Sequence, residues 1–307
     1  MELTWQNLLA RDYKITGLVR SYSNINKRGL ELLDIDDKIE LVQCELTDLS
    51  QVISIVKDIH PDEIYNLAAQ SSVSLSFKQP IGTISFNIIS VLNLLETIRI
   101  VNPEIKFYQA LSSEVFGITE KLPITETSSM NPISPYSISK ASAYWITKNY
   151  REAYGIFSCN GFCFNHESFL RSDDFFIKKV IRDAIRIKEG KIKFLKVGNI
   201  DIKRDFGWAP KYVEAMYLMM QYKIPDDYII CSNISISLRS IIEFVFSYLE
   251  IPINCLQISK ELYRPTEILD MYGDNSKAKN ILGWNYDISF YEVLEILITE
   301  EIKYFKH

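Results

Sequence analysis

Residues 7–20, NLLARDYKITGLVR, hold the end of an amphipathic helix (Leu8, Leu9), a polar turn (Arg11, Asp12) and a strand from Lys14 to Val19 finished by Arg20. In a doubly wound dinucleotide-binding fold such a helix and strand are the second and third elements, after a first strand and a glycine-rich phosphate loop. Neither precedes them in these residues, and none of the 11 glycines falls in a GxGxxG or GxxGxxG pattern.

Working outward, strand-like and helical runs alternate through about the first two thirds of the chain, the pattern of a mostly parallel sheet covered on both faces. KIELVQCEL (38–46) reads as a strand. DLSQVISIVKDIH (48–60) reads as a helix with Val52, Ile55, Val56 and Ile59 on one face behind an Asp48 cap. DEIYNLAA, IKFYQALSS and FSCNGFCF are further strands, TISFNIISVLNLLETIRI is a helix, and PYSISKASAYWITKNYREAYG is a helix that starts at Pro135 and stops at Gly155. The last third reads as a smaller, mainly helical lobe, with KIKFLKVGN and DYIICSN as strands.

With 307 residues, 47% of them hydrophobic, the chain can bury a full core. Its 34 Lys and Arg against 39 Asp and Glu, a formal charge of −5, argue against nucleic acid as the main partner. No apolar run is read as a membrane span, and MELTWQNLLARD lacks the basic start and cleavage site of a signal peptide, so the expected location is the cytoplasm. Five cysteines without CxxC spacing read as reduced thiols, and no metal site is expected.

The strongest local signal is SPYSISKASAYW, which places Tyr136 and Lys140 one turn apart on one face at the start of a helix. An ammonium beside a phenol stabilises the phenolate, so the spacing predicts a lowered phenol pKa and proton exchange with a substrate hydroxyl. Taken alone, a Tyr-x-x-x-Lys match among 18 tyrosines is weak. Upstream, QALSSEVFG ends a strand at its carboxyl edge, where open α/β sheets bind ligands, and offers Ser112, Ser113 and Glu114. Hydroxyl, carboxylate, phenol and ammonium in one cleft suit hydride removal followed by elimination.

The runs PDEIYNLAAQSSVSLSF, QALSSEVFG, SPYSISKASAYWITKNYREAYG, CNGFCFNHES, GNIDIKRDFG, YVEAMYLMMQ, PDDYII and RPTEI, in this order, resemble the GDP-mannose 4,6-dehydratases of the extended short-chain dehydrogenase/reductase superfamily over nearly the whole chain. NHES and REAYG separate that family from its dTDP-glucose and UDP-galactose relatives. The resemblance implies a Rossmann-like doubly wound parallel sheet with its first strand absent. Residues 1–165 and about 206–235 would form the dinucleotide-binding domain, and residues 166–205 and 236–307 the substrate-binding lobe.

It further implies conversion of GDP-mannose to GDP-4-dehydro-6-deoxymannose. Tyr136, aided by Lys140 and Ser112, would take the proton of the carbon 4 hydroxyl as hydride passes to NADP. Glu114 would remove the proton on carbon 5 and help water leave carbon 6, and the hydride would return to carbon 6. The cofactor would lie along Arg20, Glu45, Leu46, Leu67, Ala68, Ala69, Gln70, Ser71, Tyr136, Lys140, His166 and Arg171. The substrate would meet Asn165, Lys179, Arg204, Arg264 and Glu267, and a homo-oligomer, dimer or tetramer, is expected. Without the family, His166 reads as a core histidine, KRD (203–205) as a surface turn and RPTE as a helix cap.

The departures lie mainly around the cofactor. The match begins just after the family's glycine-rich loop, which predicts weaker cofactor binding and exposed neighbouring strand edges through a misplaced start, a deletion or decay of the gene. Glu45 stands for an aspartate, Ser21 for a second arginine, Gly82 for a tyrosine and Trp208 for a histidine, and ESFLRSDDF departs around Arg171. Arginine to serine weakens the case for NADP over NAD. Two other readings stay open: a related sugar-nucleotide epimerase or reductase, and a cofactor-free remnant that binds GDP-sugars or pairs with an intact homologue.

Overall fold

The computed structural model describes residues 1–22, 27–119, 121–263 and 266–304. Its strands are β1 (Ile15–Val19), β2 (Ile39–Gln43), β3 (Glu63–Asn66), β4 (Lys106–Ser112), β5 (Ser158–Cys163), β6 (Asn165–Glu167), β7 (Leu195–Val197), β8 (Lys203–Trp208), β9 (Asp227–Ile230), β10 (Ser235–Ser237) and β11 (Leu256–Ile258). The α-helices are α1 (Glu2–Leu9), α2 (Arg28–Leu32), α3 (Leu49–Ile59), α4 (Val73–Lys78), α5 (Pro80–Val101), α6 (Pro135–Tyr154), α7 (Phe176–Lys188), α8 (Ala209–Gln221), α9 (Leu238–Tyr248), α10 (Ser276–Leu282) and α11 (Phe290–Tyr304).

The main sheet runs β3-β4-β5-β9, every neighbour parallel. Helices cover both faces, so β5 is buried along its whole length, and FSCNGFCF reads as a nearly unbroken run of apolar and small residues instead of an alternation. One face packs Leu94, Leu95 and Ile98 of α5 on Phe107 and Phe162. The other packs Tyr212, Met216 and Met219 of α8 on Tyr108, beside Trp284. β1 and β2 form a separate parallel pair under α1 and α2, with Leu8, Ile15, Leu30 and Ile39 as its core. Among the described residues β1 pairs only with β2, and β3 only with β4. Between β1 and β3 lies a cavity of about 650 Å³.

Local chemistry sets the helices that matter for function. Asp48 accepts hydrogen bonds from the N–H groups of Ser50 and Gln51 and so starts α3 where the sequence predicts. Helix α6 opens with a Ser134–Ser137 capping box and Pro135 in its first turn, and closes on Gly155 at φ 69°. Helix α5 corrects one expectation: its 22 residues are long and apolar enough to cross a membrane. Here it is a core helix, with Val91, Leu94, Leu95 and Ile98 buried against the sheet and its neighbours.

The second lobe is less purely helical than its sequence reads. Helices α7, α9 and α11 enclose a core of Val180, Ile181, Val245, Leu294 and Ile298. Beside them lie a mixed sheet β10-β8-β6 and the parallel pair β11-β7. Of these strands, β6, β7, β10 and β11 are three residues long, too short for a period of two to register.

Candidate active site

Because β1 to β5 run parallel to their partners, the residues that follow each strand gather along the carboxyl edge. Arg20 follows β1, Glu45 and Leu46 follow β2, Leu67 to Ser71 follow β3, Ser112 closes β4, and Asn165 and His166 come just after β5. That edge is where a doubly wound sheet opens a crevice for ligands.

At the end of β4 the chain turns tightly through Ser113–Phe116. The Ser112 hydroxyl caps this turn by accepting the Glu114 N–H at 3.3 Å. The turn ends at Gly117, with φ 55°, where a Cβ would fall 1.7 Å from the Asn131 carbonyl oxygen. Only glycine fits that backbone, so Gly117 fixes the path that presents the half-buried Glu114.

Helix α6 brings its first two turns onto the same strand end. Lys140 is buried, and its Nζ donates to the Ala110 carbonyl at 2.8 Å. Burial pushes the Tyr136 phenol up to about 12, although a hydrogen bond with Ser112 and the charge of Arg171 pull it down, while Glu114 adds to the rise. Burial lowers the Lys140 ammonium to about 8, against the raising influence of Cys163. The expected depression of the phenol by Lys140 is thus corrected. The ammonium is held by a backbone carbonyl, and desolvation of the phenol outweighs the charges around it.

The loop after β3 is braced by residues that sequence reasoning passed over. Asn66 accepts the Ala68 N–H at 3.2 Å and donates to Gln109 Oε1 at 2.8 Å. Asn87, buried in α5, accepts the Gln70 N–H at 2.8 Å and donates to the Gln70 carbonyl at 3.2 Å and to Ser139 Oγ at 2.9 Å. One asparagine therefore ties the loop to the residue beside Lys140. Its signal in the sequence was one of two amides in an apolar helix, which the periodicity argument discounts.

On the far wall, His166 Nδ1 lies 2.8 Å from the Phe164 carbonyl oxygen and its ring stacks on Tyr212, centroids 4.9 Å apart. Burial, and then the nearby Arg171, hold its pKa down at about 4, so the imidazole is neutral at pH 7. Arg171 pairs with the buried Glu167 at 3.6 Å, and its guanidinium lies 3.5 Å over the Phe175 ring. The charge of Arg171 bears on both Tyr136 and His166.

The remaining predicted residues lie in the second lobe or follow β2. Asn165 donates to the Asp205 carbonyl at 3.3 Å, Lys179 to that of Lys196 at 2.6 Å, and Glu267 accepts from Asn199 at 2.6 Å. Arg204 is buried in β8 and donates to the Ile268 carbonyl at 2.7 Å, so KRD is a strand and not a surface turn. Glu45 accepts from the Thr47 hydroxyl at 2.8 Å, and the Leu46 carbonyl accepts from Asn93 at 2.9 Å. Arg264 lies outside the described residues.

A tyrosine–lysine pair one turn apart on a helix beside the end of a central parallel strand, in a doubly wound fold with a second lobe, defines the extended short-chain dehydrogenase/reductases, the epimerase/dehydratase class. The fold is similar to a dTDP-glucose 4,6-dehydratase from Streptomyces venezuelae, solved with NAD (TM-score 0.88, 18% identity, 98% of this chain and 93% of that one). It is also similar to a UDP-glucose 4-epimerase from Thermotoga maritima (TM-score 0.87, 20% identity, 99% and 96%). The family model for GDP-mannose 4,6 dehydratase matches residues 3–297, and the chain belongs to that family. It is 40% identical to GDP-mannose 4,6 dehydratase 1 of Arabidopsis thaliana across 96% of this chain and 85% of the relative. With the GDP-mannose 4,6-dehydratase of Vibrio cholerae the identity is 35%, across 96% and 89%.

The donor set fits the ribose and nicotinamide half of such a cofactor: the hydroxyls of Ser112 and Tyr136 and the Lys140 ammonium suit a diol. At the first turn of α1 helix amides are present, but Glu2 places a carboxylate there, which disfavours a diphosphate.

Proposed function

We propose that Ser112, Glu114, Tyr136 and Lys140 carry the family's reaction in this chain, a lyase that converts GDP-mannose to GDP-4-dehydro-6-deoxymannose and water. Supporting this reading is the convergence of four chemically matched side chains on the carboxyl end of β4. A nicotinamide dinucleotide held by Tyr136, Lys140 and the Leu67–Ser71 loop supplies a hydride acceptor for carbon 4 and a hydride donor for carbon 6.

Tyr136 takes the proton of the carbon 4 hydroxyl, and Ser112 orients that oxygen by hydrogen bonding. Once carbon 4 is a ketone, the proton on carbon 5 is acidic enough for a carboxylate. Glu114 removes it and delivers a proton to the hydroxyl that leaves carbon 6 as water; when hydride adds to carbon 6, carbon 5 takes up a proton, which balances the one removed by Tyr136. Lys140, held by the Ala110 carbonyl at the same strand end, serves the cofactor side of the site. Lys179, Arg204, Arg264 and Glu267 belong to the substrate side of this proposal, as do Asn165 and the second-lobe core. His166, Arg171, Arg20, Glu45 and Leu46 belong to the cofactor side, with NADP as the cofactor and NAD as its alternative. The cytoplasm and a homo-oligomeric state complete it.

The test is incubation of the purified chain with GDP-mannose and NADP, followed by mass spectrometry for loss of one water from the sugar nucleotide. Glu114→Gln should abolish that loss while leaving GDP-mannose binding by calorimetry intact. Wild-type turnover in this variant would remove Glu114 from the mechanism.

A further inference from the structure

The loop between β6 and α7, residues 168–175, carries Arg171. Its ion pair with Glu167, at 3.6 Å, is not a hydrogen bond, and Glu167 Oε2 and Arg171 Nε have no hydrogen-bond partner among the described residues. That contact alone does not fix the direction of the guanidinium. The loop backbone does more, because the Arg171 N–H donates to the Ser168 carbonyl at 3.0 Å, one residue before Phe169.

Phe169 is held from outside the loop. Its carbonyl accepts from Lys178 Nζ of α7 at 2.9 Å, and its ring stacks on Tyr304 of α11, centroids 5.5 Å apart. The same ammonium pairs with the Glu301 carboxylate of α11, and both side chains are nearly inaccessible, at 6% and 2% exposure. A cavity of about 10 Å³ is lined by this pair, by Phe169 and by Glu167, so the two ion pairs face one space. Desolvation cancels much of what a buried ion pair gains, and apolar side chains of similar volume would pack there as well or better. What they would lack is the lysine's three donors, which hold a carboxylate and a backbone carbonyl at once. The pair therefore contributes geometry more than stability.

We propose that Lys178 and Glu301 are positioning residues: the pair pins the Phe169 carbonyl and thereby fixes the place of the Arg171 guanidinium. Through Glu301, 123 residues beyond Lys178, the docking of α11 is joined to the loop after β6. That Arg171 meets the cofactor rests on the function proposed above; its placement by the pair does not.

His166 reports on this placement. Its pKa, about 4, is set by burial, then by Arg171, the Phe164 carbonyl and the N-terminal ammonium, and neither Lys178 nor Glu301 acts on it directly. NMR titration of the full chain follows the ring, identified among three histidines by its loss in His166→Gln. Lys178→Met combined with Glu301→Met replaces the pair by apolar side chains, so no buried charge is stranded and the denaturant midpoint should stay near that of the wild type. In this variant the His166 pKa should rise by about 0.5 or more as Arg171 moves off. Glu301→Gln, which keeps an acceptor for Lys178, should give a smaller rise. Lys178→Arg keeps the donors and should leave the value near 4. Arg171→Met should raise it by itself, and adding the paired replacement should raise it no further. The NADP Kd should also rise about ten-fold in the paired variant, with the GDP-mannose Kd unchanged. An unchanged His166 pKa in the folded paired variant and in Glu301→Gln, or the same rise with Arg171 already replaced, would overturn the proposal. Failure of the wild-type chain to bind NADP would instead count against the proposed function, because the titration reads Arg171 without cofactor.

Discussion

At the scale of single residues, Tyr136 and Lys140 show why a motif and its electrostatics are different facts. The four-residue spacing was enough to put both on one face of α6, and both are buried beside Ala110 and Ser112. Their pKa values, about 12 and about 8, have moved apart because burial penalises the charged form of either group. The phenol is therefore protonated at neutral pH, and the fraction able to accept a proton grows as pH rises toward 12. Tyr136→Phe should lower kcat by roughly 10²–10⁴-fold with KM for GDP-mannose little changed, as steady-state assays would show. A proportionate rise in KM would instead make the residue a binding group. No sequence pattern announced Asn87, whose three hydrogen bonds to Gln70 and Ser139 depend on two distant segments meeting.

At the scale of elements, caps and turns were written locally and so were legible. Asp48, Ser134, Pro135 and Gly155 bound α3 and α6 within a residue of where they are read from sequence. The turn that presents Glu114 is another local device, and Gly117 is its stop. Gly117→Ala forces a side chain into a backbone region reserved for glycine and against the Asn131 carbonyl. It should cost about 1–3 kcal/mol in denaturant unfolding and lower kcat through a misplaced Glu114. Unchanged unfolding and activity would show that the turn can relax. The short strands of the second lobe were not legible, because β8 pairs with β6 and β10 across long stretches of chain and three-residue strands carry no period.

At the scale of the whole molecule, His166 joins structure to solution conditions. It sits between the end of β5 and α8, neutral because burial and then Arg171 lower its pKa to about 4 from the usual 6.5. The unfolded chain takes up the proton first as pH falls. The contribution of this residue is therefore fully present above pH 6.5 and lost as pH falls through 4. Thermal unfolding followed between pH 7 and 4 should show a shallower decline for His166→Gln than for the wild type, and identical declines would place the acid sensitivity elsewhere. Sequence by itself determined the parallel α/β class, the caps and the order of strands along the chain, and singled out Ser112, Glu114, Tyr136 and Lys140 as candidates, since these rest on neighbouring residues and fixed spacing. Only the tertiary structure decided which charges face the phenol, that Arg204 and one face of α5 are buried, and that Asn87 braces the loop. Desolvation and pairing between distant segments exist only once the chain has closed on itself.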